Sequence, residues 1–341
     1  MAKSDLFGIV DKFDQQKVVL AGDIMLDVSE KGKLRKVSPE DACFVISNPK
    51  IEYYLGGAGN VFANILSLGG DSYLCGVIGD DQSGKELMKV LSMRYKSSFP
   101  NQGIAVVPER KTTVKRRSYL DGGHYIRQMI RSDFEDTNEI SNGVAYFIIS
   151  SLEANFEKNP VSVVAISDYD KGFLTKEFVS ELLQFAKRRK AKIIVDPKPL
   201  SGGNKKLRKF VDCYGFKPNL EEAEAISSIK YNGKNLNDIG RKCLDILEPE
   251  GFVIITCGKE GMHIFNAKSD VVDHVPGKEV EVSDITGAGD TVLGALSLSL
   301  SAGASLIDAA TIANLAAAQK VKKRGTATVS REELVDLILK S

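Results

Sequence analysis

The chain has 341 residues, of which 43% are hydrophobic and 27% are charged, a composition typical of a globular protein with a sizeable core. Its 46 Lys and Arg against 45 Asp and Glu give a formal net charge of +1, which excludes a whole-molecule field that would attract nucleic acid or an anionic membrane. Because no segment approaches the ~20 apolar residues of a membrane span and the charged N-terminus lacks the apolar core of a signal peptide, we expect a cytoplasmic protein with no nucleic-acid or membrane partner.

The N-terminal part of the chain predicts a strand, a small β insertion and a glycine-rich turn. The segment 17–28 begins as an apolar run bounded by Gly22, typical of a buried strand in a mostly parallel sheet, and its end carries Asp23 and Asp27. Short alternating pieces within 29–55 predict small strands that face solvent. Residues 56–70, GGAGNVFANILSLGG, combine a glycine-rich turn with a helix.

From residue 71 onward, strand and helix patterns alternate in the rhythm of a parallel sheet covered by helices. Helices are predicted over 84–95, 180–190, 221–229, 236–247 and 293–321, and strands over 161–170, 192–198, 211–219 and 252–258. A hairpin is predicted around Asp121-Gly122-Gly123. We expect one α/β domain over 1–341, with segments of about 29–55 and 110–134 inserted as a β lid rich in Lys and Arg.

The segment SDITGAGDT, residues 283–291, leads directly into a long helical pattern. A helix N-terminus offers unpaired N–H groups and a partial positive charge, and glycine lets the backbone approach an anion. An anion hole for a phosphoryl group is therefore predicted at Gly287, Ala288 and Gly289. Asp290 would then lie in the first helical turn as the general base for an attacking hydroxyl. The alternative is a glycine turn with Asp290 as a simple cap.

Two distant motifs together resemble the two signatures of the ribokinase-like (PfkB-type) carbohydrate kinase family. They are GGAGNVFANILSLGG, with Gly79 downstream, and DITGAGDTVLGAL. The resemblance implies a three-layer α/β/α body with a mostly parallel sheet and a small β-strand lid. It also implies ATP and Mg²⁺ as cofactors, with Asp290 as the catalytic base. Phe62 and Ile285 depart from the usual signatures, but neither change removes a catalytic group.

On the nucleotide side, the resemblance assigns the family's N-x-x-E motif to Asn219 and Glu222, which would order magnesium indirectly through water and phosphate oxygens. The plainer alternative for this pair is a strand-end turn and a helix N-cap. The other nucleotide contacts implied are Thr256, Gly258, Thr286 and Asn314. Asn314 would lie on the final helix near the adenine, although an ordinary helix residue is an equal alternative there.

On the acceptor side, the resemblance assigns sugar binding to Asp27, Gly56, Gly57 and Asn60, for which a solvated aspartate and a tight turn are the alternative. A sugar phosphate needs cations as well, and arginine forks match phosphate oxygens. Candidate phosphate or substrate contacts are Lys115, Arg131, Lys171 and Lys198. For any one of these four, a solvated charge is the simpler interpretation.

Within the family, the motifs SPEDACFVI, ISDYDKGFL and RGTATVS look most like those of members that phosphorylate a heptose 7-phosphate. This resemblance implies D-glycero-β-D-manno-heptose 7-phosphate as the acceptor, with transfer to O1, in ADP-heptose synthesis for the lipopolysaccharide core. Such kinases are often fused to a nucleotidyltransferase with an H-x-G-H signature. Because His124, His263 and His274 do not form that signature, we expect the kinase domain alone.

Three alternatives to this function are weighed, the first within the same enzyme class and the other two from different classes. One is a related kinase for another sugar, sugar phosphate or nucleoside, and the second is a non-catalytic nucleotide or sugar sensor that has kept the fold. A dinucleotide-binding oxidoreductase is excluded because no G-x-G-x-x-G follows the first strand. The five cysteines are scattered without a C-x-x-C pair, which argues against a metal cluster or a disulfide framework. Short lid strands also predict pairing between two subunits in a homodimer.

Overall fold

The computed structural model describes residues 3–41, 43–94, 103–123, 126–198 and 203–340. Its strands in chain order are β1 (Lys17–Gly22), β2 (Ile24–Val37), β3 (Phe44–Gly57), β4 (Asp71–Gly79), β5 (Gly103–Val107), β6 (Thr113–Asp121), β7 (Ile126–Phe134), β8 (Val163–Ser167), β9 (Lys192–Asp196), β10 (Gly215–Phe216), β11 (Phe252–Thr256), β12 (Met262–Asn266) and β13 (Val272–Val275). Nine of them form one sheet in the order β13-β12-β11-β10-β9-β8-β1-β4-β5. Among the described residues, this sheet is parallel except for the pairs β11–β12 and β12–β13, which are antiparallel.

The helices are α1 (Lys3–Val10), α2 (Ala58–Ser67), α3 (Gln82–Arg94), α4 (Asn142–Asn155), α5 (Lys176–Arg189), α6 (Leu220–Ser227), α7 (Leu236–Leu247), α8 (Ala288–Ser301), α9 (Leu306–Lys320) and α10 (Arg331–Leu339). Short 3-10 helices cover Phe13–Gln15, Gly203–Phe210 and Gly258–Glu260. In the part of the chain that the structure describes, no helix has the length and apolar character needed to cross a bilayer.

Two hydrophobic clusters lie on opposite faces of the nine-stranded sheet. One contains residues of α2, α8 and α9, and the other contains residues of α4, α5 and α7. Successive strand residues point to opposite faces, so Leu20 of β1 joins the first cluster and Val19 joins the second. The predicted three-layer α/β/α body with a mostly parallel sheet is therefore confirmed.

The remaining four strands form a second sheet in the order β3-β2-β6-β7. The outer pairs are antiparallel, whereas β2 and β6 run parallel. The predicted small β lid is confirmed by this sheet, which we call the lid sheet, and the predicted hairpin is its β6–β7 pair. Within it, the short strands expected in 29–55 are parts of two 14-residue strands.

The buried strand predicted at the start of segment 17–28, bounded by Gly22, is confirmed as β1, and the rest of the segment enters the lid sheet as β2. β1 ends at Gly22 and β2 begins at Ile24, and Asp23 between them donates its N–H to the carbonyl of Ser167 at 3.2 Å. A Cβ on Gly22 would lie 2.4 Å from that same carbonyl oxygen. The close approach to β8 redirects the chain from the body into the lid sheet.

Two further boundaries differ from the sequence predictions. The strand expected over 211–219 is reduced to the two residues of β10, and the helical pattern of 293–321 is divided into α8 and α9 by a turn at Gly303. Asn314 therefore lies on α9, and the prediction that it lies on the final helix is wrong because α10 follows. Tyr95, at the end of the predicted helix 84–95, and His124 lie outside the described residues.

Candidate active site

A cleft of about 750 Å³ opens where the neighbouring strands β9, β10 and β11 end. This volume lies in the range of small-molecule binding sites. The predicted site residues that line it are Lys198, Asn219, Glu222, Thr256, Gly258, Gly287, Ala288, Gly289, Asp290 and Asn314. The predicted base, anion hole and nucleotide contacts thus share one cavity, with the exception of Thr286.

Asp290 lies at the base of this cleft in the first turn of α8, with its side chain 5% exposed. Asn60 donates from Nδ2 to its Oδ2 at 2.7 Å, and the hydroxyl of Tyr169 donates to its Oδ1 at 3.0 Å. Burial raises the pKa of Asp290, whereas these two hydrogen bonds oppose the rise by favouring the charged form. The carboxylate is consequently fixed in orientation and suited to accept a proton.

The N-terminus of α8 depends on Gly287, which has a left-handed φ of 78°. A Cβ at this position would lie 2.6 Å from Nδ2 of Asn60, so only glycine allows the turn and the Asn60–Asp290 hydrogen bond together. Asn64 supports Asn60 by donating to its backbone carbonyl at 2.8 Å, and it accepts a hydrogen bond from Thr291 at 2.9 Å. Helices α2 and α8 therefore position the base jointly.

Asn219 and Glu222 form a capping box at the start of α6. Each accepts a hydrogen bond from the other's backbone N–H at 2.8 Å, and the second oxygen of Glu222 contacts Nζ of Lys198 at 2.9 Å. The helix-cap alternative raised for this pair is therefore real, but both side chains also face the cleft. Capping holds the carboxylate in place without removing it from the cavity.

The fit of this cleft to magnesium follows from its donor atoms. Asp196, Asn219 and Glu222 supply oxygen atoms, which magnesium prefers. In the described residues, no three His, Cys, Asp or Glu side chains group closely enough to enclose a metal ion. Magnesium commonly keeps several waters and binds through one or two carboxylates together with substrate phosphates. The residues therefore fit a cation that arrives with the nucleotide.

Three residues of this cleft were missed as site residues by the sequence analysis: Tyr169, Asp196 and Lys217. Lys217 is 2% exposed and contacts Asp196 at 3.0 Å. Burial raises the pKa of Asp196, the Lys217 ammonium opposes the rise, and nearby Glu222 adds to it. Asp196 is the last residue of β9, and Tyr169 and Lys217 follow β8 and β10, so a search of every strand's carboxyl end could have found all three.

The predicted acceptor residues lie beside the cleft, at the base of the lid sheet. Asp27 of β2 is buried and accepts a hydrogen bond from Nη1 of Arg117 at 3.0 Å. Burial raises the pKa of Asp27, and Arg117 opposes the rise. A Cβ on Gly56 would lie 3.0 Å from the Asp27 carboxyl carbon, and Gly57 is the N-cap of α2. Asn60 lies in the first turn of α2 and donates to Asp290 from there.

The predicted phosphate-binding cations occupy different surroundings. Nζ of Lys115 lies 5.3 Å from the ring centre of Tyr169, and Nζ of Lys198 lies 5.5 Å from it. Arg131 pairs with Asp133 on its own strand, and Lys171 pairs with Glu135 at 2.7 Å.

Thr286 is not among the residues that line the cleft. Its backbone N–H donates to Oδ1 of Asp284 at 2.9 Å, and Gly325 donates to the other oxygen of that carboxylate at 2.8 Å. Asn314 lines the cleft, and its Nδ2 donates to the carbonyl of Pro276 at 2.8 Å. Asp284 thereby anchors the loop that leads to α8, and Asn314 anchors the loop on the opposite wall.

Comparison with known proteins identifies relatives over most of the chain. Residues 15–115 and 136–333 match the model of the pfkB family carbohydrate kinases. The chain is 35% identical over 326 residues to the bifunctional protein HldE of Caulobacter sp. (strain K31), covering 95% of this chain and 63% of that protein. It is also 35% identical over 318 residues to the bifunctional protein HldE of Geobacter sulfurreducens, covering 93% of this chain and 62% of that protein. The chain thus spans less than two thirds of either relative.

Solved structures with a similar fold include phosphofructokinase-2 from Escherichia coli, in its tetrameric inhibited form, with a TM-score of 0.72 at 17% identity. That match covers 95% of this chain and 98% of the other. Ribokinase from Giardia lamblia also gives a TM-score of 0.72, at 20% identity, with 94% and 99% covered. These likenesses establish a ribokinase-like fold.

Proposed function

Because the chain belongs to the pfkB family of carbohydrate kinases, phosphotransferases that act on sugar hydroxyls, we propose that it phosphorylates D-glycero-β-D-manno-heptose 7-phosphate at O1. ATP would be the phosphoryl donor and magnesium the cofactor. The reaction would take place in the cytoplasm, as a step of ADP-heptose synthesis for the lipopolysaccharide core. The observation that carries the kinase chemistry is the buried Asp290 carboxylate, held by two donors at the N-terminus of α8 and open to the cleft.

In the proposed reaction, Asp290 accepts the proton of the O1 hydroxyl as the oxygen attacks the γ-phosphorus. The new O1–P bond forms while the bond from that phosphorus to the bridging oxygen of ADP breaks. Backbone N–H groups of Gly287 and Gly289 would stabilise the transferring phosphoryl group, aided by the positive end of α8. The N–H of Ala288 donates to the carbonyl of Ile285 at 3.1 Å and would join them by exchanging that partner for the phosphoryl group. Bound magnesium would offset the negative charge of the nucleotide phosphates.

The acceptor assignment rests on cations as well as on sequence resemblance. Lys115 and Arg117 belong to β6 of the lid sheet, and Lys171 follows β8, so two parts of the fold supply cations. Arg117 and Lys171 are largely buried while paired with carboxylates. A sugar phosphate would replace Glu135 as the partner of Lys171, whereas an uncharged sugar would leave that ion pair as it is.

The lid sheet also supports a proposed homodimer. Its exposed side chains include several large apolar groups: Val37, Phe44, Ile130 and Phe134. Pairing two lid sheets would remove this surface from water and cover strand edges. Sedimentation velocity on the wild-type chain and on Ile130→Glu is expected to give a dimer and a monomer respectively, and a monomeric wild-type chain would exclude this arrangement.

The function is tested by ADP release with ATP and magnesium, comparing heptose 7-phosphate, fructose 6-phosphate, ribose and adenosine. We expect the highest turnover with heptose 7-phosphate and a loss of about 10²- to 10⁴-fold in kcat in Asp290→Asn, the range for a general base. Asp238→Asn, which changes an exposed aspartate in the first turn of α7, is the matched control and should retain full activity.

Each other outcome has a definite meaning. Faster turnover of another acceptor would overturn the heptose assignment while retaining the kinase. Binding of ATP without turnover of any acceptor would favour the non-catalytic sensor. Equal activity of the wild type and Asp290→Asn would remove Asp290 from the role of base.

A further inference from the structure

Tyr169 lies at the point where the lid sheet, the acceptor residues and the cleft meet. It belongs to the turn that follows β8, and its side chain lines the cleft. Buried Asp23 holds this turn, because its Oδ2 accepts the backbone N–H of Tyr169 at 2.8 Å and that of Lys171 at 3.2 Å. The tyrosine is therefore attached to the residue that joins β1 to β2.

The hydroxyl of Tyr169 makes a specific contact with the proposed base. It donates to Oδ1 of Asp290 at 3.0 Å, while Asn60 donates to Oδ2 at 2.7 Å. Each carboxylate oxygen thus has its own donor, so rotation of the carboxylate would break both contacts. Burial holds the pKa of Tyr169 well above its ordinary value, and the Asp290 charge adds to this, so the hydroxyl remains a neutral donor at neutral pH.

The ring of Tyr169 lies near two lysines from different parts of the site. Nζ of Lys115, from β6 of the lid sheet, is 5.3 Å from the ring centre, and Nζ of Lys198, which follows β9, is 5.5 Å from it. Both distances allow cation–π attraction, which is effective within about 6 Å. One aromatic ring therefore places a cation on the acceptor side and another on the nucleotide side.

We propose that Tyr169 is a positioning residue for phosphoryl transfer, whose hydroxyl fixes the Asp290 carboxylate and whose ring fixes Lys115 and Lys198. The inference rests on the proposed function, in which Asp290 is the base. The hydroxyl and the ring of Tyr169 thus have separate roles. The hydroxyl acts on the base, and the ring acts on the cations that would contact the substrates.

The effect of the Tyr169 hydroxyl on the pKa of Asp290 can be isolated, although other charged groups lie near this carboxylate. The titratable groups around this carboxylate are Tyr169, Asp27, Asp196, Lys198, Lys217 and Lys320. Tyr169→Phe leaves all the others in place and removes only the hydroxyl. Since that hydroxyl favours the charged carboxylate, its removal raises the pKa of Asp290, and less of the base is deprotonated at a given pH.

The test measures kcat against pH for the wild type, Tyr169→Phe and Tyr169→Leu. In Tyr169→Phe we expect the acidic limb of the curve of kcat against pH to move about one pH unit upward, as loss of a hydrogen bond to a charged group predicts. The acceptor KM of this variant should stay within about twofold of the wild-type value. In Tyr169→Leu the same shift should be joined by a rise of about tenfold in acceptor KM, because the lysines lose their ring. Tyr73→Phe is the matched control, since it also loses a hydrogen-bonded hydroxyl, here to Ser151.

A second measurement makes the result independent of turnover. Carbon-13 NMR of aspartate-labelled protein reports the Asp290 pKa directly, with Asp290→Asn identifying the resonance. A higher pKa in Tyr169→Phe than in the wild type supports the inference even if no acceptor is phosphorylated, in which case only the proposed function fails. An unchanged Asp290 pKa, or a loss of activity that is equal at every pH, would overturn the positioning role.

Discussion

The two sides of the site are built differently. On the nucleotide side, Asp290, Glu222 and Lys217 are buried, and helix starts or strand ends hold each of them with short hydrogen bonds or ion pairs. On the lid side, Arg131 and Lys171 extend from a sheet edge and a turn toward carboxylates nearer the surface. The proposed base is thus preorganised, whereas the acceptor recognition that we propose would involve an exchange of ion-pair partners.

The cost of breaking each kind of pair explains this difference. An exposed ion pair contributes at most about 1 kcal/mol, so a phosphate can replace the carboxylate partner of Arg131. Removing one member of a buried pair such as Lys217–Asp196 costs about 3 to 5 kcal/mol, because it leaves an uncompensated charge. The nucleotide side is therefore expected to be intolerant of substitution, and the lid side adjustable.

The largest effect expected from this comparison is that of Gly287→Ala. The added Cβ would lie 2.6 Å from Nδ2 of Asn60 and would displace the hydrogen bond that orients Asp290. Since a misplacement of about 1 Å can cost ~10²-fold in rate, we expect kcat to fall by about that factor or more. Steady-state ADP release at saturating substrates measures it.

Gly303→Ala provides the matched control for that change. Gly303 also has a left-handed φ, of 83°, but nothing lies within 4 Å of its added Cβ. Both variants carry the same backbone cost, so the difference between them isolates the clash with Asn60. Equal loss of kcat in the two variants would contradict the preorganised base.

An intermediate effect is expected from Asp23→Asn, at the junction of the two sides. Burial, with Asp168 nearby, raises the pKa of Asp23 to about 6 from an ordinary 3.8. A carboxyl whose folded-state pKa is raised contributes stability that is full below pH 3.8 and is lost as pH rises through 6. Removing the charge should therefore raise the free energy of unfolding by about 2 to 3 kcal/mol at pH 7.5, with little difference below pH 4.

Urea denaturation at pH 7.5, 5 and 4 measures this difference. Asn keeps an oxygen to accept the N–H groups of Tyr169 and Lys171, so the turn has a partner in the variant. Asp14→Asn, an exposed aspartate, is the control and should show no such pH dependence. A variant that is less stable than the wild type at pH 7.5 would mean that the Asp23 carboxylate makes interactions that outweigh its burial.

The smallest effect is expected on the lid side, where Glu135 pairs with Lys171 at 2.7 Å. Glu135→Gln frees the ammonium group, so acceptor KM should fall about two- to threefold, while Lys171→Gln should raise it about fivefold. The KM for ATP should not change in either. Lys50→Gln, which removes a lid cation paired with Glu52, is the control, and a higher acceptor KM in Glu135→Gln would refute the exchange of partners.

Much of the fold was predictable because its signals are local. Apolar runs separated by helical patterns predicted the three-layer body, and the change of rhythm in 29–55 and 110–134 predicted the lid sheet. The strand boundary at Gly22 was predicted, but the entry of the next strand into a second sheet was not, because an apolar run looks the same whether it stays in one sheet or enters another. That turn depends on contact with Ser167, which lies far away in sequence.

The site was predictable only where a motif carries it. The segment around Gly287 was predicted from its position before a helix, and those around Asn219 and Thr256 from the family resemblance, and all three share the cleft. Tyr169 and Lys217 are site residues because they contact Asp290 and Asp196, which belong to other strands and helices. Such pairings arise from the strand order, and no local pattern contains them.

The single-residue link between β1 and β2 has a consequence for how related chains can vary in length. Because strand residues alternate between faces, one inserted or deleted residue beside Asp23 would invert the inner and outer faces of all 14 residues of β2. The connections from Val37 to Phe44 and from Asp121 to Ile126 carry no such restriction. Evolutionary insertions should therefore collect at these outer loops, while the segment 22–24 keeps a constant length.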